Sequence, residues 1–249
     1  MDKSKYTLAA HAGMDFANPF SSATIDRAVE LLALGAISVR PRVIDVGSGN
    51  GELSSRIARR WEAQVDAVDA SAGMCAEARR RGAGTGVTVH ESDAGEFARR
   101  AAGGTYHGAV CIGSSHALRG TEPMIRELAR LVARGGVVLI GEGVWEQAPS
   151  KEYLKETGIE AGEFQTLAGL VSLVEAASLR VGWATTATVS EWDEYEWGHV
   201  RGIEAFAEAN PGDPDVPAMV ARSRAWRSAY LKHGRGVLGF AMIVAVKPR

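Results

Sequence analysis

The segment VIDVGSGNGELSSRIARR, residues 43–60, constrains the fold of this chain more than any other segment. An apolar run ends at Asp45, glycines follow at the alternate positions Gly47, Gly49 and Gly51, and a helical pattern then begins. Glycine permits positive φ angles and lets a ligand approach the backbone closely. A strand, a glycine-rich turn and a helix in this order are typical of a nucleotide-binding βα turn.

The spacing of these glycines narrows the class of nucleotide. A dinucleotide site prefers G-x-G-x-x-G, in which the helix N-terminus holds a pyrophosphate. Here the pattern is G-x-G-x-G, and it is followed by Glu52, whose carboxylate we expect to repel a pyrophosphate. No Gly-Lys-Ser/Thr follows the turn, which excludes a P-loop. The turn favours a ligand without phosphates, such as S-adenosylmethionine (SAM), over NAD and over a turn without a ligand.

Strand and helix patterns alternate from residue 42 onward. Apolar runs predict five strands, at 43–46, 65–68, 87–89, 109–112 and 137–140. Helical periodicity predicts four helices between them, at 52–61, 72–81, 94–101 and 123–132. This alternation indicates right-handed βαβ units and a parallel sheet with helices on both faces.

The remaining segments predict additional helices and two further strands. Helical patterns occur at 150–158, 166–179, 191–209 and 217–232, a sixth strand at 181–190 and a last strand at 236–246. A helix is also predicted after the turn at 18–21, ending near Gly35. We predict one domain over residues 1–249, with an N-terminal helical cap at 1–41, a SAM-binding core at 42–145 and a helical insertion at 191–233.

Composition and charge limit the partners of this chain. A net charge of −2 gives no general attraction to nucleic acid or anionic membranes, and local arginine clusters fit solvated helix faces. RNA methylation is therefore a minor alternative. No apolar run approaches the ~20 residues of a membrane span, and the first residues lack the apolar region of a secretory signal. The two cysteines lie in no CxxC motif, so we expect a reducing, cytoplasmic location without disulfides.

Acids end the second and third predicted strands. Asp69, in VDAVDAS, lies about one βαβ unit beyond the glycine turn, where an acid hydrogen-bonds a ribose diol. A carboxylate there also argues against the 2′-phosphate of NADP. Asp93, in VTVHESDAGEF, can accept a hydrogen bond from an adenine amino group. Both positions also suit a helix N-cap, and we favour the ligand role for each.

Five motifs in chain order resemble those of class I SAM-dependent methyltransferases: DVGSGNG, VDAS, ESDAGEF, CIGSSHAL and LVARGGVVLIGEGVW. Less specific segments, ANPFSSATIDRAVELL, GEGVWEQAP and EWDEYEW, resemble a group of bacterial small-molecule methyltransferases. The resemblance implies an α/β, Rossmann-like sheet of seven strands, mostly parallel, with an antiparallel last strand and helices on both faces. It also implies that the helical insertion before that strand forms a lid.

The resemblance assigns cofactor contacts to residues at the ends of the first four strands. These are Asp45, Gly47, Ser48, Gly49, Asn50, Gly51, Asp69, Ala70, Met74, Asp93, Ala94, Ile112 and Gly113. Within this set, Asp45 supports the turn and the SAM ammonium. Asp69 holds the ribose, and Asp93 with Ala94 holds the adenine.

Methyl transfer is an in-line displacement that requires alignment of the acceptor, removal of a proton where needed and exclusion of water. His116 is a candidate general base, and Glu142 can orient the acceptor or take its proton. Trp145 can face the sulfonium by cation–π attraction. Ordinary roles remain open for all three, namely a surface histidine, a solvated acid and a packing residue. We predict substrate contacts from Phe20, Ser114, Tyr195 and Trp197.

A metal site is not predicted, because His107, Cys111 and His116 straddle a strand and its loop and should diverge. The favoured hypothesis is methyl transfer to a small molecule. Alternatives are a lyase or cyclase acting on the aminobutyl arm of SAM, an NAD-dependent dehydrogenase and a non-catalytic module. The sequence leaves open the acceptor atom and whether the chain forms a homodimer.

Overall fold

A computed structural model describes the whole chain, residues 1–249, around one sheet of seven strands. The strands are β1 (Arg42–Val46), β2 (Gln64–Asp69), β3 (Val87–Glu91), β4 (Tyr106–Ile112), β5 (Val132–Trp145), β6 (Arg180–Thr186) and β7 (Leu238–Val246). Their spatial order is β3-β2-β1-β4-β5-β7-β6, and β7 runs antiparallel to both of its neighbours. This confirms the predicted sheet, parallel except for its last strand.

Ten α-helices surround the sheet. They are α1 (Lys3–Ala10), α2 (Ser22–Leu31), α3 (Glu52–Trp61), α4 (Ala72–Arg81), α5 (Ala94–Arg100), α6 (Thr121–Leu131), α7 (Lys151–Thr157), α8 (Leu167–Ala176), α9 (Val189–Ala209) and α10 (Val216–Ala229). One core lies between the sheet and α5, α6 and α8, and a second lies between the opposite face and α2 and α3. None of the helices combines the length and the apolar composition that crossing a bilayer requires.

The sequences of the strands are continuous apolar runs because both faces of the sheet are buried. On β1, Val43 belongs to one core, while Ile44 and Val46 belong to the other. Alternate residues of a strand point to opposite faces, so each side chain of this run meets a layer of helices. Burial of each such side chain contributes roughly 1.5–3 kcal/mol.

The fifth strand is much longer than its apolar run predicts. Gly135 and Gly136 indicate a stop before the strand, yet β5 already begins at Val132. Gly135 has a φ of +78°, and the register with β4 shifts between Tyr106 and Gly108, so the glycines form an irregularity inside the strand. At its other end β5 continues to Trp145 by antiparallel pairing with β7.

The sixth strand ends earlier than predicted because a helix cap interrupts it. Thr188 accepts a hydrogen bond from the backbone N–H of Glu191, and the Glu191 carboxylate accepts from the backbone N–H of Thr188. This reciprocal capping box starts α9 at residue 189, inside the segment predicted as strand.

Helix α1 was not predicted as a separate element, and it lies over the carboxyl edge of the sheet. Asp2 caps it by accepting from the backbone N–H groups of Ser4 and Lys5. Helix α1 crosses α9 at Gly202, where a Cβ would stand only 2.3 Å from the carbonyl oxygen of Ala9. The close crossing and an ion pair from Lys5 to the segment before α10 hold α1 in place.

Candidate functional site

A cavity of about 470 Å³, here called the central cavity, lies at the carboxyl edge of the sheet. Its floor is the glycine turn with the ends of β1, β2 and β4, and its roof is α1 with the segment that follows. The lining residues are Lys3, Ser4, Thr7, His11, Phe16, Ala17, Asn18, Asp45, Gly47, Ser48, Gly49, Asn50, Leu53, Asp69, Ser71, Met74, Ile112, Gly113, Ser114, His116 and Tyr195. Carboxyl edges of parallel sheets are where ligands of such folds bind.

Two further cavities adjoin the central cavity. The rim cavity, about 450 Å³, shares Gly47, Asp69, Ser114 and His116 with it and extends to the end of β3; its other lining residues are Ala70, Asp93, Ala94, Arg99, Ala117 and Arg119. The outer cavity, about 360 Å³, lies on the other side of Phe16, Asn18 and Tyr195, between residues 13–22 and α9. The three spaces form a cleft that passes from β3 to α9.

The structure brings most of the predicted site residues to this cleft. Of the thirteen residues assigned to the cofactor, all except Gly51 line the central or the rim cavity. Among the predicted acceptor-side residues, His116 and Ser114 line both of these cavities. Tyr195 lines the central and outer cavities, and Phe20 lines the outer cavity.

Most backbone N–H groups of the glycine turn already donate hydrogen bonds to acceptors within the protein. The bonds run from Gly47 N and Ser48 N to Val68 O (2.8 and 3.0 Å), from Gly49 N to Asp69 Oδ2 (2.9 Å), from Gly51 N to Ser48 O (3.1 Å) and from Glu52 N to Asn50 Oδ1 (3.2 Å). A phosphate at such a turn requires free N–H groups at the helix N-terminus. The turn therefore offers bare backbone without the row of donors that a diphosphate needs.

Glu52 does not act on the cavity as the sequence suggested. Its carboxylate accepts hydrogen bonds from Arg56 Nε (2.8 Å) and Arg81 Nη1 (3.2 Å) and does not line the central cavity. Two guanidinium groups neutralise this charge, so the expected repulsion of a pyrophosphate by Glu52 is not supported. A diphosphate is disfavoured instead because the N–H groups of the turn are already hydrogen-bonded within the protein.

The positions of the glycine turn require glycine for different structural reasons. A Cβ on Gly47 would lie 2.3 Å from Ser114 Cβ, and one on Gly51 would lie 2.7 Å from Ala78 Cβ, so these glycines serve close packing. Gly49 has a φ of +54°, and a Cβ there would meet no heavy atom within 4 Å. Beside it, the buried hydroxyl of Ser48 has no hydrogen-bond partner. Bare backbone at Gly49 therefore faces space that a ligand can fill, whereas the Ser48 hydroxyl oxygen is closed off from that space.

Asp45 is the buried acid of the central cavity, with 2% of its surface exposed. Its Oδ2 accepts a hydrogen bond from Ser54 Oγ at 2.6 Å. Burial raises the pKa of Asp45 to about 6, and the nearby charge of Asp69 adds to the rise. A cation placed in this cavity would favour the ionised form of Asp45.

Asp69 and Asp93 are both fixed by backbone N–H groups. Asp69 accepts from Gly49 N at 2.9 Å through one oxygen and from Ser71 N at 2.8 Å through the other. Asp93 caps α5 by accepting from Glu96 N at 2.6 Å, and it also lines the rim cavity. Both carboxylates are thereby held at the cleft, and Asp93 has the capping role as well.

Three predicted acceptor-side residues lie outside the cleft. Glu142 is buried within β5 rather than after it, and its Oε2 accepts from Thr121 Oγ1 at 3.2 Å. Trp145 is buried and donates its indole N–H to Ala161 O at 2.9 Å. Trp197 is 41% exposed and lines none of the three cavities. The predicted strand ends at residue 140, whereas β5 continues to Trp145, and this difference explains why Glu142 lies inside the sheet rather than at the cleft.

One titratable side chain that lines the cleft, and that contacts the predicted residue Tyr195, is not predicted from the sequence. His11, just after α1, lines the central cavity. Its Nε2 lies 3.2 Å from the Tyr195 hydroxyl and 3.0 Å from His199 Nε2. Burial lowers the pKa of both histidines, that of His199 to about 3. The segment KSKYTLAAH has no apolar periodicity, and 184 positions separate His11 from Tyr195. No local sequence pattern can therefore predict this contact.

Known proteins are similar to this chain, and one match includes the glycine turn at the floor of the cleft. Residues 43–136 match a family model described as a methyltransferase domain. The uncharacterized protein YjhP of Escherichia coli strain K12 is 28% identical over 212 residues, 82% of this chain and 84% of YjhP. The X-ray structure of YjhP matches with a TM-score of 0.88 at 25% identity, covering 98% of this chain and 99% of YjhP.

A second solved structure is equally similar over its whole length. A SAM-dependent methyltransferase from Geobacter sulfurreducens, crystallised in complex with S-adenosyl-L-homocysteine, matches with a TM-score of 0.86 at 25% identity. The match covers 98% of each chain. The matched fold therefore includes α1, α9 and α10 as well as the sheet.

Proposed function

We propose that the protein transfers the methyl group of SAM to a small-molecule acceptor, from the premise that residues 43–136 match a methyltransferase domain and lie within a class I, Rossmann-like fold. When bound, SAM supplies an electrophilic methyl carbon on a sulfonium. The residues of the cleft bind this cofactor, align the acceptor with it and exclude water.

The main support for this proposal comes from the glycine turn. Its N–H groups are bonded to Val68, Asp69 and other groups of the protein, which disfavours a diphosphate and hence NAD. Its bare backbone at Gly49 nevertheless faces open space. A nucleoside whose side arm carries no phosphate, such as SAM, satisfies both conditions.

The charges of the cleft also fit SAM. SAM carries a sulfonium, an ammonium and one carboxylate, and the central cavity presents the acids Asp45 and Asp69 together with Lys3. We assign the adenine to the rim cavity beside Asp93 and the ribose to Asp69. The amino-acid arm then occupies the central cavity near Asp45.

The acceptor side of the cleft is roofed, which supports a small molecule as the acceptor. Helix α1 covers the central cavity, and Phe16 and Tyr195 separate it from the outer cavity. We assign acceptor contacts to Tyr195, Phe20 and Ser114, and we place His116 at the junction of the central and rim cavities. A roof of this kind also excludes water from the reacting atoms.

Product analysis tests this proposal and separates it from the alternatives. The protein is incubated with SAM and a panel of phenols, alcohols, amines, thioethers and tertiary amines, and the nucleoside product is identified by mass spectrometry. S-adenosylhomocysteine is the expected product, because methyl transfer leaves the aminobutyl arm intact. Methylthioadenosine would instead indicate a lyase or cyclase acting on that arm.

Calorimetric titration completes the test. We expect SAM and S-adenosylhomocysteine to bind and NAD not to bind. Saturable NAD binding without SAM binding would support a dehydrogenase and contradict the proposal. SAM binding without turnover on the whole panel would support a non-catalytic role.

A further inference from the structure

The roof of the central cavity contains a hydrogen-bonded group of three titratable side chains, of which the proposed function uses only Tyr195, as an acceptor contact. His11 follows α1, and Tyr195 and His199 lie one turn apart on α9. The Tyr195 and His199 rings contact each other at a tilt of 55° with centroids 4.3 Å apart, and the His11 ring meets His199 edge-on at 4.5 Å. His11 and Tyr195 line the central cavity, whereas His199 lies behind them.

Hydrogen bonds fix which nitrogen of His11 can accept a proton. Its Nδ1 lies 2.8 Å from the carbonyl oxygen of Thr7, which can only accept, so Nδ1 carries the hydrogen. In the neutral ring Nε2 then holds the lone pair. That nitrogen faces the Tyr195 hydroxyl at 3.2 Å and His199 Nε2 at 3.0 Å.

The surroundings keep this group uncharged in the resting protein. The titratable groups around His11 are Tyr195, His199 and Glu196 of α9 and, across the central cavity, Lys3, Asp45, Asp69 and His116. No carboxylate bonds to either histidine, and burial lowers the pKa of both. Burial also raises the pKa of Tyr195, so its hydroxyl stays protonated and can pass on a proton only while receiving another.

We propose that His11 is the general base of the methyl transfer, that Tyr195 relays the proton to it, and that the acceptor is therefore a protic oxygen or nitrogen compound. This inference rests on the proposed function. It assigns the substrate class as alcohols, phenols or amines that lose a proton on methylation. Thioethers and tertiary amines, which have no proton to lose, do not need such a base.

The proton and electron balance is simple. The acceptor heteroatom bonds to the methyl carbon, while the pair of the broken carbon–sulfur bond stays on sulfur. The acceptor proton passes to the Tyr195 oxygen as the Tyr195 hydroxyl proton passes to His11 Nε2. The protein then holds one additional proton as an imidazolium at His11, which it releases to water after the products leave.

His199 is a positioning residue in this scheme. It contacts His11 but lines none of the three cavities. Because burial and the neighbouring His11 lower its pKa to about 3, the added proton resides on His11 rather than on His199. Its tilted ring contact with Tyr195 holds the phenol beside His11.

The test uses the full chain with an acceptor that the wild-type protein methylates from the panel above. His11→Gln and Tyr195→Phe are compared with His116→Gln and with the control His233→Gln, a histidine outside the cleft. We expect His11→Gln and Tyr195→Phe to lower kcat roughly 100-fold at neutral pH. The affinity for S-adenosylhomocysteine and the thermal unfolding midpoint should stay near wild type, which shows that each variant is folded.

A pH profile separates a base from a structural role. With a phenol as acceptor, the substrate arrives already deprotonated above its own pKa, so the rates of His11→Gln and Tyr195→Phe should approach that of wild type. A deficit that is the same at every pH would overturn the inference, as would a loss confined to His116→Gln. Methylation of thioethers or tertiary amines only would also overturn it and leave the proposed function intact. Failure of the wild type to form S-adenosylhomocysteine with any acceptor would contradict the proposed function itself.

Discussion

Gly49 shows how a single residue can decide what the cleft binds. Its φ of +54° requires a residue without strain in the left-handed region, and the space where a side chain would stand is open cavity. We predict that Gly49→Val lowers SAM affinity at least tenfold, because the new side chain occupies the space assigned to the ligand. Isothermal titration with SAM measures the change.

Gly84 provides a matched control for this substitution. It has a φ of +73°, a Cβ there would likewise meet nothing within 4 Å, and it lies in the turn before β3, outside the cleft. Gly84→Val should lower stability by a similar amount, about 1–2 kcal/mol, and leave SAM affinity unchanged. Equal SAM affinities of the two variants would refute the placement of the ligand at Gly49.

Asp45 gives the cleft a pH dependence of its own. Burial raises its pKa to about 6, whereas a bound ammonium or sulfonium favours the ionised form. Below that pKa, SAM must displace a proton to bind. We predict that SAM affinity rises between about pH 5 and pH 7, approaching tenfold per pH unit at the acidic end.

Asp45→Asn is the variant that isolates this effect. The amide oxygen can still accept the hydrogen bond from Ser54, but it does not titrate. Titrations at several pH values should give a weaker affinity at neutral pH and a nearly flat profile. A profile for Asp45→Asn as steep as that of wild type would show that another group is responsible.

At the scale of secondary-structure elements, helix α9 contains a buried glutamate. Glu196 is 5% exposed, accepts a hydrogen bond from Trp226 Nε1 at 3.1 Å and has no cationic partner. Burial raises its pKa from 4.5 to about 7. A folded-state pKa above the unfolded value means that its contribution to stability is complete at low pH and is lost as the pH rises through about 7.

Glu196→Gln keeps the hydrogen-bond acceptor and removes the titration. At pH 8 we expect the variant to be more stable than wild type by up to roughly 3 kcal/mol, from about 1.36 kcal/mol per pKa unit. At pH 4, below the ordinary glutamate pKa of 4.5, the difference should nearly vanish. Urea unfolding at the two pH values measures it, and a constant difference would mean that Glu196 is not protonated in the folded protein.

The sequence predicted the elements of the sheet better than the helical roof. Helices α3 and α4 match their predicted bounds because each begins after a turn and carries apolar residues on its inner side. Helix α1 carries no such stripe, and long-range contacts with Gly202 of α9 hold it in place. Strand β5 was shortened in the prediction because Gly135, Gly141 and Gly143 interrupt its apolar run.

At the scale of the whole molecule, the floor of the cleft followed from local patterns. Asp69, Asp93 and the glycine turn each sit at the end of a parallel strand, and such ends meet at one edge of the sheet. The roof joins His11 to Tyr195 and His199, which no pattern within a single segment can reveal. All residues predicted to contact the cofactor except Gly51 therefore line the cleft, whereas Glu142, Trp145 and Trp197 of the predicted acceptor side do not.

A crystal structure of the protein grown with S-adenosylhomocysteine tests the central claim most directly. Density for the adenine beside Asp93, the ribose on Asp69 and the amino-acid arm over Gly49 is the predicted result. An empty central cavity at saturating ligand, or NAD bound there from a parallel soak, would contradict the account.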